Sequence, residues 1–188
     1  MLRIKYQMDA KINEGDILFF DTNVWINLFT PAKDNTDLQT QALREKASKF
    51  YKQAIEKKTK IYTSSLVLSE FINRSLRIMF AAEKSENPRK YSGTNAYKDV
   101  FRKSDEYAEY LEEALELVEL NILAYSYKTE DAFNSFDICD YKTREGKENL
   151  DFNDYCIEHI CRKRNYKLVT ADMDYKKANT PCDVIYLV

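Results

Sequence analysis

Glycine is scarce. Only Gly15, Gly93 and Gly146 occur in 188 residues, so neither a G-x-G-x-x-G turn nor a Walker loop can be written anywhere in the chain. Nucleotide binding by a glycine-rich cradle is thereby excluded. Histidine is scarcer still: a lone His159 argues against Ser-His-Asp or Cys-His catalysis as the default. Beside Cys156 and Cys161 it hints at zinc, but neither cysteine has a paired motif elsewhere, and a structural histidine is the reading adopted. The four cysteines, Cys139, Cys156, Cys161 and Cys182, form no C-x-x-C and no regular framework, as expected of reduced thiols in a cytoplasmic protein. No apolar run approaches a membrane span. Met1–Tyr6 leads into a polar segment, not a signal-peptide core. Charge of one sign is not in surplus either, with 29 Lys+Arg against 31 Asp+Glu. No global basic excess advertises nucleic acid, although a local basic rim suffices to hold a phosphate backbone.

What is present is an ordinary globular composition, 44% hydrophobic, at a length expected to form a single domain over 1–188. Residues 1–16 read as a short mixed segment closed by the turn Asn13-Glu14-Gly15-Asp16. Ile17-Leu18-Phe19-Phe20 is a continuous apolar run ending at Asp21, the pattern of a strand buried on both faces. Thr22 or Asn23 can cap a short helix through Leu28. Leu43, Ala47, Phe50 and Ala54 recur at helical spacing between Asp37 and Lys58. Lys60–Thr63 is a short strand, and Ser64-Ser65 opens a helix to about Phe80. Glu83–Thr94 reads as a loop, and a helix is predicted from about Lys98 to Leu120 with Leu111, Leu115 and Val118 on one face. Over 124–150, short helical pieces and a polar loop around Thr143–Asn149 are expected. Asp151-Phe152-Asn153-Asp154 starts a helix through about Arg164. Lys167–Thr170 and Val184–Val188 are strands. Strands alternating with helices predict an α/β fold with a parallel sheet of four to five strands and helices on both faces.

Four carboxylates stand where this topology has one shared rim. Asp21 ends the first strand, Glu70 lies in the first turns of the helix after the second, Asp154 lies at a helix start, and Asp172 follows Leu168–Thr170. Asp151 sits one turn before Asp154 on the same face. Carboxylates crowded together repel unless protons or cations compensate. Oxygen-only donors without His or Cys point to a hard cation, Mg²⁺ or Mn²⁺. Such an ion polarises a phosphoryl oxygen and lowers the pKa of bound water.

Leu18-Phe19-Phe20-Asp21-Thr22-Asn23, Thr63-Ser64-Ser65-Leu66-Val67-Leu68-Ser69-Glu70, Asp154-Tyr155-Cys156-Ile157 and Leu168-Val169-Thr170-Ala171-Asp172 resemble, in that order, the motifs of PIN-domain nucleases, including VapC-type toxins. The resemblance spans about 17–80 and 150–188. The segment from about 83 to 149 is longer than in compact members. The resemblance implies a PIN-like three-layer α/β/α fold and metal-dependent hydrolysis of phosphodiesters, usually RNA, by Asp21, Glu70, Asp154 and Asp172. It implies Asp151 as a supporting metal ligand or water-positioner, and Thr22 and Thr170 as hydrogen-bonding partners of the ligands or their waters, with Asn23 alongside. A toxin role would bring a cognate antitoxin over the acidic rim, and the family likeness leaves room for a homodimer.

Each residue also has a plainer reading. Asp21 alone is a helix cap, Glu70 a solvated helix residue, Asp151 and Asp154 partners of a helix dipole, and Asp172 or Asp174 a turn former. The fourteen tyrosines read as core and surface filler. Lys57, Lys58, Lys60, Arg162, Lys163 and Arg164 either track phosphates or are solvated helix ends. A haloacid-dehalogenase-type phosphatase also begins with an apolar strand and Asp, but needs a second Asp as general acid where this chain has Asn23. A PIN-like fold kept for RNA or protein binding without catalysis is the remaining alternative.

Overall fold

The computed structural model describes residues 12–30, 37–143, 147–178 and 180–187. The segment 1–11, the centre of the expected Thr143–Asn149 loop (144–146) and Val188 lie outside the described residues. Five parallel strands, β1 (Ile17–Phe20), β2 (Lys60–Thr63), β3 (Tyr127–Lys128), β4 (Lys167–Thr170) and β5 (Val184–Tyr186), form one sheet in the order β3-β2-β1-β4-β5. The order reverses direction between β1 and β4, which makes their carboxyl ends the crevice where ligands bind in open α/β sheets.

β1 is apolar throughout and β4 is apolar at its middle positions because both their faces are covered. Leu18, Phe19 and Phe20 on β1 and Leu168 and Val169 on β4 are wholly buried, and a strand whose side chains alternate faces can do this only when flanked by helices on each side. The helices are α1 (Thr22–Phe29), α2 (Leu38–Glu56), α3 (Ser65–Glu86), α4 (Ala96–Asp99), α5 (Asp105–Leu117), α6 (Ile138–Thr143), α7 (Phe152–Arg164) and α8 (Asp174–Lys177). Phe20 meets Trp25 of α1 at 5.0 Å and Phe50 of α2 at 6.1 Å between ring centroids, so the first two helices are pinned on the first strand. Gly15 closes the turn before β1 at φ +85°, a conformation costly for other residues. No helix among the described residues is long and apolar enough to cross a membrane.

Several boundaries differ from expectation. The cap of α1 is Asp21 itself, not Thr22 or Asn23; its side chain accepts from the Thr22 amide. Helix α3 runs on to Glu86 and takes the start of the expected loop. The single helix expected over 98–120 is broken. After α4 a 3₁₀ turn, Phe101–Lys103, precedes Ser104, which caps α5 by accepting from the Tyr107 amide, and a π-helical turn follows at Val118–Leu123. The break exists because Phe101 turns inward, fully buried, in a satellite cluster with Tyr91 and Ala96, packed by Phe80, Tyr97, Tyr107 and Tyr110. Leu115 is left 43% exposed, and Ala114, Val118 and Ile122 carry the buried face. Strand β3 was not anticipated. Both its residues are exposed, so it carries no apolar signature, and it is held by the sheet ladder at the edge.

The satellite cluster yields a stability prediction. Phe101→Ala is expected to destabilise the protein by roughly 3 kcal/mol, read as a lower urea midpoint, while the near-UV signal of Trp25 in the main core is unchanged without denaturant.

Candidate active site

Asp21 follows the central strand at its carboxyl end, 3% exposed, with its amide bonded to the Val169 carbonyl of β4 at 3.0 Å. Three donors hold its carboxylate. The Thr22 amide reaches Oδ1 at 2.6 Å; the Asn23 side-chain amide and the Thr170 hydroxyl reach Oδ2 at 2.6 and 2.7 Å. Asn23 is itself anchored, its Oδ1 accepting from the Ala171 amide at 2.8 Å. The residue where a phosphatase would need a second acid is thus a strut between β1 and the loop after β4.

The other acids arrive from separate elements. Glu70, one turn into α3, accepts from the Thr22 hydroxyl at 2.9 Å, so a single threonine ties it to the end of β1. Arg74, one turn further on, faces Glu70 at 3.5 Å. Asp151 caps α7, accepting from the Asp154 amide at 2.9 Å, while Asp154 accepts in return from the Asp151 amide at 3.3 Å. Asp151 is thus the N-cap of α7, and its side chain is exposed. Asp154 also accepts from the buried Tyr175 hydroxyl at 3.2 Å. Asp172 is half-buried; its amide is bonded to the Thr170 hydroxyl at 2.9 Å and its Oδ1 accepts from the Asp174 amide at 2.8 Å. Asp174 pairs outward with Lys177 at 2.6 Å and is peripheral.

Electrostatics joins these positions. Burial, with smaller contributions from the charges of Glu70 and Asp172, pushes the Asp21 carboxyl up to about 6. Burial again leads for Asp154, followed by repulsion from Asp151, Asp21 and Asp172, and its carboxyl rises to about 7. Acids from β1, α3, α7 and the loop after β4 therefore feel one another's charge. Among the described residues no three His, Cys, Asp or Glu side chains converge tightly enough to form a ready metal cage. Like charges drawn together raise each other's energy, so they close on one point only when a cation is there to attract them. The donor set suits such an ion. It is all oxygen, it carries excess negative charge, and Asp21 is fixed by donors that leave part of its lone-pair capacity free. Asp21, Glu70, Asp154 and Asp172 are the residues that could hold it.

Two participants were not read from the sequence. Tyr175 is wholly buried beneath Asp154, and its only signal was its place one turn past Asp172. Arg74 could have been read from its i+4 spacing to Glu70. His159 is a packed core residue, with Ser135 at 3.1 Å from Nε2, Arg162 at 3.3 Å from Nδ1, and Phe136 against its ring. Several of the cations considered as phosphate trackers are engaged elsewhere. Lys57 donates to the Ile12 carbonyl, Arg162 approaches Asp140 at 3.8 Å, and Arg164 approaches Glu130 at 3.4 Å.

The two raised carboxyls set a pH dependence. Folded-state values lie above those of an unfolded chain, so between about pH 4 and about pH 7 the folded protein holds protons that the unfolded chain has lost. With chelator present, thermal stability is expected to rise as pH falls through that window, and Asp154→Asn should flatten the profile. A metal-free protein whose melting temperature falls between about pH 7 and about pH 5 contradicts this.

The family model described as PIN domain matches residues 18–180. Among curated proteins none matches the sequence. Among solved structures the chain is similar to the crystal structure of FitAcB from Neisseria gonorrhoeae, at 12% identity and a TM-score of 0.49, covering 90% of this chain and 97% of that one.

Proposed function

Because the chain belongs to the PIN-domain family, we propose that it is a Mg²⁺- or Mn²⁺-dependent endoribonuclease of the cytoplasm, acting through Asp21, Glu70, Asp154 and Asp172. The observation that carries this reading is charge gathered at one rim: buried Asp21 feels Glu70 and Asp172, and half-buried Asp154, on another element, feels Asp21 and Asp172. A structural role explains a capped helix; it does not explain charge accumulated from four elements at the switch point of the sheet.

When bound, a divalent ion supplies Lewis-acid stabilisation of the phosphoryl oxygens and a more acidic water. The chain's own residues do the rest. Thr22, Asn23 and Thr170 fix the Asp21 carboxylate, and the Thr22 hydroxyl sets Glu70 relative to it. Tyr175 orients Asp154. Asp154, oriented by the Tyr175 hydroxyl and set on the same rim as Asp21 and Asp172, is placed to accept the proton that an attacking water loses. Water attacks phosphorus, the P–O3′ bond breaks, and the products carry 5′-phosphate and 3′-hydroxyl ends without a covalent enzyme intermediate. Asp151 supports from the rim as a cap and as a charge acting on Asp154. In this reading the chain works as one PIN-like unit over 1–188, with 83–149 as an elaboration. A cognate antitoxin covering the acidic rim, or a homodimer, is the companion proposal from the family likeness.

Purified protein with Mn²⁺ is expected to cleave single-stranded RNA, and Asp21→Asn to lower the rate by about 10³-fold or more while RNA binding persists. Mn²⁺ at about 100 times its Kd should stabilise the wild type by about 2.7 kcal/mol, and the variant by much less. Phosphate release from small phosphomonoesters, abolished by Asp21→Asn, would instead identify a phosphatase. RNA binding with no metal-dependent cleavage would identify a binding domain.

A further inference from the structure

We propose that the outer face of α3, together with the α4–3₁₀ segment docked beside it, is the tract that grips the substrate strand and leads it to the acidic rim. The inference rests on the ribonuclease reading and gives the elaborated segment its task. Glu70, Arg74, Arg77 and Lys84 occupy positions i, i+4, i+7 and i+14 of α3, which a helix of 3.6 residues per turn places along one stripe. The stripe begins at the site and extends about 21 Å from it. Arg74, Arg77 and Lys84 are all exposed.

The segment that follows adds to the same charge. Residues 74–103 contain eight Lys/Arg against three Asp/Glu, in a chain whose overall balance is slightly acidic. The guanidinium of Arg77 lies 4.4 Å above the Tyr97 ring, and that of Arg102 lies 5.9 Å from the Tyr107 ring. Tyr97 and Tyr107 both contact Phe101, each at 5.6 Å, so both cations stand on one aromatic platform. Among the described residues neither Arg77 nor Arg102 has a carboxylate partner. A cation held over a ring loses little further freedom on binding, which suits its charge to a phosphate.

The neighbouring helix confines the strand to this side. Helix α5, packed on α3, carries Asp105, Glu106, Glu109, Glu112, Glu113 and Glu116 and no basic residue. A phosphate backbone is repelled there and attracted along α3. Arg77 and Lys84 of α3 and Arg102 beside it are spread along the face, which fits a flexible single strand better than readout of base edges.

The test is binding of a fluorescently labelled single-stranded RNA of about 15 nucleotides, followed by anisotropy with chelator present so that nothing is cleaved. Arg77→Gln/Arg102→Gln is expected to bind roughly tenfold more weakly than wild type near 0.1 M salt, with a log–log salt slope shallower by about 1.4. The charge-keeping pair Arg77→Lys/Arg102→Lys should retain affinity within about threefold. With Mn²⁺ the Gln pair should raise KM and leave kcat unchanged. A wild type that fails to bind RNA, or a Gln pair with unchanged affinity and slope, overturns the proposal and leaves the face to an acidic protein partner. Equal loss in the Lys pair overturns it as well, because the effect would then be structural. Binding that depends on Arg77 and Arg102 with no cleavage in Mn²⁺ sinks the ribonuclease reading alone. Cleavage with affinity indifferent to both arginines sinks only the tract.

Discussion

The buried carboxylate of Asp21 sits where three other acidic positions point their charge, and the architecture around it answers that constraint. A parallel sheet places the ends of its strands and the starts of the following helices on one rim, so acids coded far apart meet there. The cost of holding negative charge out of water is partly offset by donors: an amide from α1, the Asn23 side chain, and a hydroxyl from β4. The rest is carried as raised proton affinity at Asp21 and Asp154. Threonine recurs at the rim, as Thr22 and Thr170, because its hydroxyl can donate to a carboxylate without adding charge.

The elaborated middle of the chain solves a different problem. The stretch from 87 to 110 builds a small core of its own from aromatic rings, with Tyr91, Tyr97, Phe101, Tyr107 and Tyr110 gathered around Phe80 of α3. Aromatic side chains bury large areas with few rotatable bonds, which lets a small cluster order a segment of loops and short helices. The same rings present their outer faces to Arg77 and Arg102. One set of residues thus provides both the local stability and the ordered display of cations.

The apolar runs of β1 and β4, the helical stripe of α2, the start of α7, and the order of strands and helices could all be read from the chain. Each of these is a local pattern whose periodicity or cap chemistry has one dominant solution. The break at Phe101 could not be read, because 98–120 taken alone has helical composition throughout; only the distant Phe80 and Tyr91 make an inward Phe101 favourable. Strand β3 escaped for a related reason, since an exposed two-residue edge strand exists through its neighbour's backbone and not through its own side chains. Tyr175 beneath Asp154 depends on how α8 packs against α7.

By itself, then, the sequence determined which acids exist, the elements that carry them, and the absence of any glycine cradle or histidine-based machinery. Tertiary structure alone decided that those acids perturb one another, which donors restrain each oxygen, and that Asp151 serves as a cap. The division has a physical basis. Propensity and periodicity act over one or two helical turns, whereas burial and Coulomb interaction depend on distances that only the closed sheet creates.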